Sequence, residues 1–254
     1  MIDWLFDSQR NCRKEMMMKN YVILLAGGVG KRMETDIPKQ FIEVNGKPII
    51  VYSIENFQRN DRIEKIVVVC VREWIDHLKE IIAKYKLSKV EWVIEGGNTG
   101  HDSIRNGVFF LRDKVASDDY VIVHDAVRPI LPQKAIDEVL RVAHEKGNAS
   151  SSIACHPPIV YTEDHESGIK DIDREHVMLT ASPQVYRYSL ALKCYEKAEA
   201  EDKHDFTFTS SLLIHYGERV YFAKGTTSNI KVTRKEDLAL FGALLSVPEE
   251  LLYT

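Results

Sequence analysis

Apolar residues fall along this chain in two alternating rhythms. Short continuous runs over 22–25, 63–71, 90–94 and 120–123 are rich in β-branched residues and read as strands buried on both faces. Between them, residues 48–57 carry helical apolar spacing, and 74–85 set Ile75, Leu78, Ile81 and Ile82 on one face of an amphipathic helix. This alternation predicts an α/β fold, a Rossmann-like, doubly wound, mostly parallel sheet with right-handed crossovers. From 149 to 184 the rhythm breaks into short strand-like pieces separated by turn residues. Helices follow over 193–203 and 210–216, the second closed by Gly217, then a strand over 220–223. A last helix carries Leu238, Leu240, Phe241, Leu244 and Leu245.

Composition narrows the picture. With 254 residues, 44% hydrophobic and 28% charged, the chain suits one α/β domain, here 21–250, behind an extension of residues 1–20. That extension lacks an apolar h-region and so reads as a mobile tail rather than a signal peptide, with Met16, Met17 and Met18 suggesting an alternative start. The net charge of −4 gives no support to a nucleic-acid partner, and no apolar run is long enough for a membrane span. Cys12, Cys70, Cys155 and Cys194 are widely spread with no CxxC pair, as expected of free thiols in a cytoplasmic protein. His156, His165 and His176 match no zinc spacing and read as surface histidines.

The chemistry concentrates where predicted strands end. Ala26, Gly27, Gly28, Val29 and Gly30 follow the first strand directly, and small residues let backbone N–H groups approach a polyanion. Lys31, Arg32 and Lys39 then bring positive charge, so the stretch reads as a grip on a triphosphate rather than a plain strand exit. It is not a P-loop, because Lys31-Arg32 follows Gly30. The dinucleotide fingerprint also fails, with Met33 in place of its third glycine. Pro38 biases Ile37 to an extended backbone, which predicts a long loop carrying Arg32 and Lys39. A second loop, Gly96-Gly97-Asn98-Thr99-Gly100, leads to Ser103, expected to open a helix as its N-cap. At the fourth strand's end stand Asp125 and Arg128, either a structural ion pair or a place for a hard cation near phosphates.

These motifs carry a resemblance. LAGGVGKRM with PKQF, VHDAVRP, and NIKVT before Glu236-Asp237-Leu238 resemble the cytidylyltransferases of 2-C-methyl-D-erythritol 4-phosphate and ribitol 5-phosphate, over about 21–245. The resemblance implies that CTP and a phosphorylated polyol are joined with Mg²⁺, the acceptor phosphate displacing pyrophosphate. It implies a nucleotide site of Ala26, Gly27, Gly28, Gly30, Gly97, Asn98 and Ser103, and catalytic cations Arg32, Lys39 and Lys231. On the acceptor side it implies Asp125, also facing the metal, with Arg128, Arg174 and Ser182. It further implies a homodimer in which a projecting β-arm, roughly 150–180, brings Arg174 to the neighbour's site; the plain alternative for Arg174 is a surface salt bridge.

The chain departs from the family at Gly100, where Arg is usual, at Pro157-Pro158 for Asp-Thr, at Ala181-Ser182 for Gln-Thr, and at Phe208 for an acid. PKQF, PIIVYSIENF and DSIRNG resemble the ribitol branch, whose product feeds a surface glycopolymer; the methylerythritol branch of isoprenoid synthesis is the alternative. A nucleotide-binding regulatory module without chemistry and a dinucleotide-binding oxidoreductase are the readings from other classes.

Overall fold

The computed structural model describes residues 18–28 and 37–253. Strand β1 (Asn20–Ala26) lies inside the sheet, parallel to β4 (Ile63–Cys70) on one side and to the central strand β6 (Tyr120–Asp125) on the other. Its apolar run is continuous because both faces are covered. Val22 and Leu24 point into one core with Ile54, Phe57 and Leu140, while Ile23 points into the other with Ile104, Val108 and Tyr195. The seven strands of the sheet run in the order β11 (Phe222–Lys224), β7 (Asn148–Ala154), β10 (Met178–Arg187), β6, β1, β4 and β5 (Val90–Glu95). Only β10 runs antiparallel to its neighbours, so the sheet is mostly parallel, as expected.

The small pair β2 (Glu43–Val44) and β3 (Lys47–Pro48) precedes helix α1 (Ile49–Gln58). Helix α2 (Ile75–Lys84), strand β5 (Val90–Glu95) and helix α3 (Gly100–Phe110) follow, with α4 (Gln133–Lys146) after β6. Because β1 connects toward β4 while β6 pairs on its other side, the sheet switches direction between β1 and β6. Open α/β sheets bind ligands at the carboxyl edge of such a switch.

Three expectations need correction. The helix placed over 193–203 is α5 (Tyr188–Ala200), because Tyr188, Ala191, Cys194, Tyr195 and Ala198 already form its buried face. The strand placed over 220–223 is β11 (Phe222–Lys224), and the short helix α8 (Glu249–Leu252) follows the helices α6 (Thr209–His215) and α7 (Lys235–Leu244). The arm is narrower than 150–180. Strand β7 (Asn148–Ala154) and β10 belong to the main sheet, where Ser150, Ser151 and Ser152 are buried. Serines that read as turn residues are there because a neighbouring backbone comes close: a Cβ on Gly225 would meet Ser151 Oγ at 2.7 Å. The projecting part spans about 155–177, a hairpin of β8 (Ile159–Tyr161) and β9 (Lys170–Ile172).

Candidate active site

Asp125, the last residue of β6, is the hub. Its Oδ1 accepts from Lys231 Nζ at 3.0 Å, and its Oδ2 accepts from Arg128 Nε at 3.1 Å and from Ser182 Oγ at 3.3 Å. The Asp125 amide donates back to Ser182 Oγ at 3.1 Å. A circuit closes behind these groups: Arg128 Nη1 donates to the Asn229 carbonyl at 2.7 Å, and Asn229 Nδ2 donates to the Ser182 carbonyl at 2.6 Å. Burial alone would push the Asp125 carboxyl up, but the adjacent Lys231 and Arg128 charges hold it below its ordinary value. His124 is buried beneath, and burial lowers its imidazole to about 4. The neutral ring donates from Nε2 to the Arg128 carbonyl at 3.1 Å, fixing the turn that aims Arg128 at Asp125.

The two glycine loops meet beside this hub. Ala26 ends β1, and its carbonyl accepts from the buried Gln40 side chain at 2.6 Å. Gln40 sits in a 3-10 turn, Lys39–Phe41, anchored by Phe41 stacking on Trp74 at 4.9 Å. Lys39 therefore belongs to a packed turn, not to a long loop, and is only 9% exposed. Its stem lies against Gly28, whose added Cβ would be 3.8 Å from Lys39 Cε. Across the cleft, Ser103 Oγ accepts from the Gly97 amide at 3.1 Å and donates to the Thr99 carbonyl at 2.9 Å. Glycine is required at 97, where a Cβ would fall 2.1 Å from Asp102 Cβ. A Cβ on Gly27 would lie 3.2 Å from the same Ser103 hydroxyl, so the two loops approach each other there.

Ser103 is not the N-cap it was expected to be. Thr99 caps α3 in a capping box with Asp102, which starts the helix at Gly100 and leaves the Ser103 hydroxyl to bridge the loop. Gly27, Gly28, Lys39, Gly97, Asn98 and Ser103 line a cavity of about 310 Å³ that also reaches Asp125 and Lys231. A second cavity of about 450 Å³ shares Asp125, Lys231, Thr99 and Gly100 and runs on past Ser182 to Phe206 and Phe208. A larger space of about 550 Å³ between α1 and the C-terminal helices, lined by Tyr52, Arg59 and Leu244, touches none of these groups.

Gly27, Gly28, Lys39, Gly97, Asn98, Ser103, Asp125, Ser182 and Lys231 thus line two adjoining cavities, while Arg128 bonds Asp125 from behind and lines a separate small cavity with Thr180 and Asn229. Arg174 stands apart, on the arm in a 3-10 turn, Arg174–His176, where its guanidinium donates to the His156 carbonyl; it lines neither cavity. Gly30 and Arg32 lie outside the described residues. Sequence reasoning did not single out Gln40, His124 or Asn229. All lay within quoted motifs, yet each bonds a backbone carbonyl, which side-chain identity alone does not reveal.

The glycine loops line one cavity with Lys39 and Lys231 and suit a polyphosphate, whose transfer needs no protein nucleophile. Comparison with known proteins agrees with that reading. Residues 20–247 match the IspD family, described as 2-C-methyl-D-erythritol 4-phosphate cytidylyltransferase. A ribitol-5-phosphate cytidylyltransferase of Lacticaseibacillus paracasei is 40% identical over 229 residues, 89% of this chain and 98% of that protein. A 2-C-methyl-D-erythritol 4-phosphate cytidylyltransferase of Clostridium botulinum is 35% identical over 226 residues, 88% of this chain and 96% of that protein. In fold the chain is similar to the crystal structure of 4-diphosphocytidyl-2C-methyl-D-erythritol synthase from Anaerococcus prevotii, with a TM-score of 0.78 at 23% identity, covering 91% of this chain and 97% of that one. The chain belongs to the IspD family of cytidylyltransferases and is therefore a nucleotidyltransferase.

Proposed function

We propose that this enzyme joins CTP to D-ribitol 5-phosphate, giving CDP-ribitol and pyrophosphate for a surface glycopolymer. The observation that carries the choice of acceptor is the 40% identity to a ribitol-5-phosphate cytidylyltransferase along 98% of that protein's length. The 35% identity to a 2-C-methyl-D-erythritol 4-phosphate enzyme supports that substrate as the second reading.

In the reaction, an acceptor phosphate oxygen forms a bond to the α-phosphorus of CTP as the bond from that phosphorus to the pyrophosphate oxygen breaks in line. Charge grows on the leaving phosphates, so positioned cations supply the catalysis. Lys39 and Arg32 act on the triphosphate, while Lys231, balanced by Asp125, acts near the reacting phosphate. Ala26, Gly27, Gly28 and Gly30 offer backbone amides to the nucleotide, and Gly97, Asn98 and Ser103 hold the pyrimidine. Asp125, Arg128 and Ser182 face the acceptor.

Mg²⁺ fits this donor set as a partner of the ligand's own phosphates. Asp125 is a hard oxygen donor, and among the described residues no group of three or more His, Cys, Asp or Glu could hold a metal ion alone. Bound there, Mg²⁺ would neutralise phosphate charge, with Asp125 as its protein ligand.

Residues 21–250 act as one catalytic unit, and the active form is a homodimer whose arm delivers Arg174 to the partner's cleft. Support comes from Val160, Tyr161 and Ile169, which the hairpin leaves 55%, 48% and 62% exposed. The reaction belongs in the cytoplasm, where CTP is available; the described cysteines, Cys70, Cys155 and Cys194, are free thiols there. Among the described residues no helix is long and apolar enough to cross a membrane.

Pyrophosphate release from CTP and Mg²⁺ with each acceptor tests the assignment. Ribitol 5-phosphate should exceed methylerythritol phosphate in kcat/KM by at least about 10-fold, well inside what hydroxyl-reading sites achieve. A ratio near one, or reversed, returns the enzyme to the second reading.

A further inference from the structure

The second cavity contains a group that the reaction as described leaves unused. His101, in the first turn of α3, is 2% exposed, and neither of its ring nitrogens has a hydrogen-bond partner among the described residues. Its ring is held in place by Tyr195, centroids 5.1 Å apart, and by Phe206 at 5.6 Å. A buried polar group left without a partner costs about 1–3 kcal/mol, so such an imidazole calls for an explanation. Its surroundings supply one, because His101 lines the cavity of about 450 Å³ that Asp125 and Lys231 also line.

The character of that cavity selects a ligand. Around His101 the lining combines apolar Ile104 and Phe206 with His204, Asp205 and Thr207. Among the described residues Lys231, beside Asp125, is the one Lys or Arg of that lining, so a phosphate belongs next to them and an uncharged chain along the rest. A further anion would meet the Asp205 carboxylate. Burial lowers the His101 imidazole from its ordinary value and keeps it neutral, with one N–H donor and one acceptor nitrogen. Both nitrogens are covered by the rings packed on His101, so a hydroxyl satisfies one of them where those rings give way. Gly100, where the family usually carries Arg, lines both cavities and has open space around its Cα, so no side chain at 100 fills the passage between them.

We propose that His101 is a specificity-determining residue, binding a hydroxyl of the acceptor's polyol chain while the acceptor phosphate sits by Asp125 and Lys231. The inference deepens the cytidylyltransferase reading above and rests on it. It assigns His101 no part in nucleotide binding.

The test compares wild type with His101→Phe, which keeps a flat ring against Tyr195 and Phe206, and with His101→Gln, which restores a donor and an acceptor. Substrates are ribitol 5-phosphate and its monodeoxy analogues, each with CTP. For ribitol 5-phosphate, His101→Phe should lower kcat/KM by at least about 10-fold, with recovery in His101→Gln. For the one analogue that lacks the bound hydroxyl, wild type and His101→Phe should agree within about twofold, the behaviour of a pair whose interaction is already gone. The dissociation constant for CTP should be unchanged in both variants. An equal loss for ribitol 5-phosphate and every analogue, or no loss at all, overturns the assignment. If wild type turns over no polyol phosphate, the functional reading itself falls and His101 falls with it; if wild type turns over and only the variant pattern fails, the functional reading stands without His101.

Discussion

Two regions of this protein hold their shape by opposite means. In the cleft, the groups around Asp125 are tied across the sequence: Arg128 reaches Asn229, Asn229 reaches Ser182, and Lys231 and Ser182 both return to Asp125. Each bond joins segments far apart in the chain, so the geometry exists only when the sheet is complete. In the arm, bonds are local. Thr162, Asp164 and Ser167 bond within one turn, and Arg174 bonds His156 in the same projection. The contrast separates a charge arrangement set by the core from a segment held only by its own short-range bonds, which on the proposed function is completed by a partner.

The largest effect should come from the rigid side. Lys39→Met removes one of the cations proposed to face the phosphates, and loss of one such donor typically lowers turnover by about 10²–10³-fold. Met is the right replacement because Lys39 is packed, so its stem should be kept against Gly28. Steady-state kcat/KM with a melting curve separates chemistry from folding. Turnover near wild type at saturating CTP and acceptor would remove Lys39 from the triphosphate.

Next in size is the link between the two regions. Arg174→Ala should be nearly inactive alone, as should Lys39→Met. Heterodimers of the two contain one site with both groups intact, so a statistical mixture should regain about a quarter of wild-type activity if the arm serves its neighbour. Heterodimers demonstrated by mass measurement, with no recovery, would confine Arg174 to its own subunit.

The same contrast explains what could be read from the sequence. Strands β1, β4 and β6 were legible because burial on both faces forces unbroken apolar runs. The direction and extent of β7 and β10 were not, since their buried Ser150, Ser151 and Ser152 look like turn residues, while Met178 and Leu179 are exposed apolar ones. In the site, glycines and charged residues were legible by type. Packing was not: Lys39 was expected on a long loop because Pro38 interrupts a helix, yet the Phe41–Trp74 stack folds that segment into the core. Thr99 displaced Ser103 as the cap because Asp102 completes a reciprocal bond that a single-residue rule overlooks.

A smaller effect concerns the sheet away from both regions. His144, in the last turn of α4, bonds the Asn20 side chain at 2.8 Å, and burial lowers its imidazole to about 4. The unfolded chain, with an ordinary histidine near 6.5, takes up the proton first as pH falls. Stability from the neutral form is therefore complete above about 6.5 and is lost as pH falls toward 4. His144→Gln should flatten denaturant midpoints across that window while leaving kcat at neutral pH unchanged. An unaltered slope would mean that other groups govern the acid limb.

The smallest effect belongs to the arm's tip, and it sharpens the comparison most directly. Asp164 accepts from the Ser167 amide at 2.8 Å, the Glu166 amide at 2.9 Å and the Thr162 hydroxyl at 2.9 Å, bonds that hold its carboxyl below the ordinary value. All of these partners are neighbours in sequence, so Asp164 orders a turn and nothing beyond it. Asp164→Ala should speed hydrogen exchange at the amides of Glu166 and Ser167, yet leave turnover within about twofold and the melting temperature unmoved, as for surface changes generally. If turnover instead falls with the fraction of dimer, the tip itself touches the partner. The local bonds would then be preorganising a contact surface, and the arm would hold a single geometry as firmly as the cleft does.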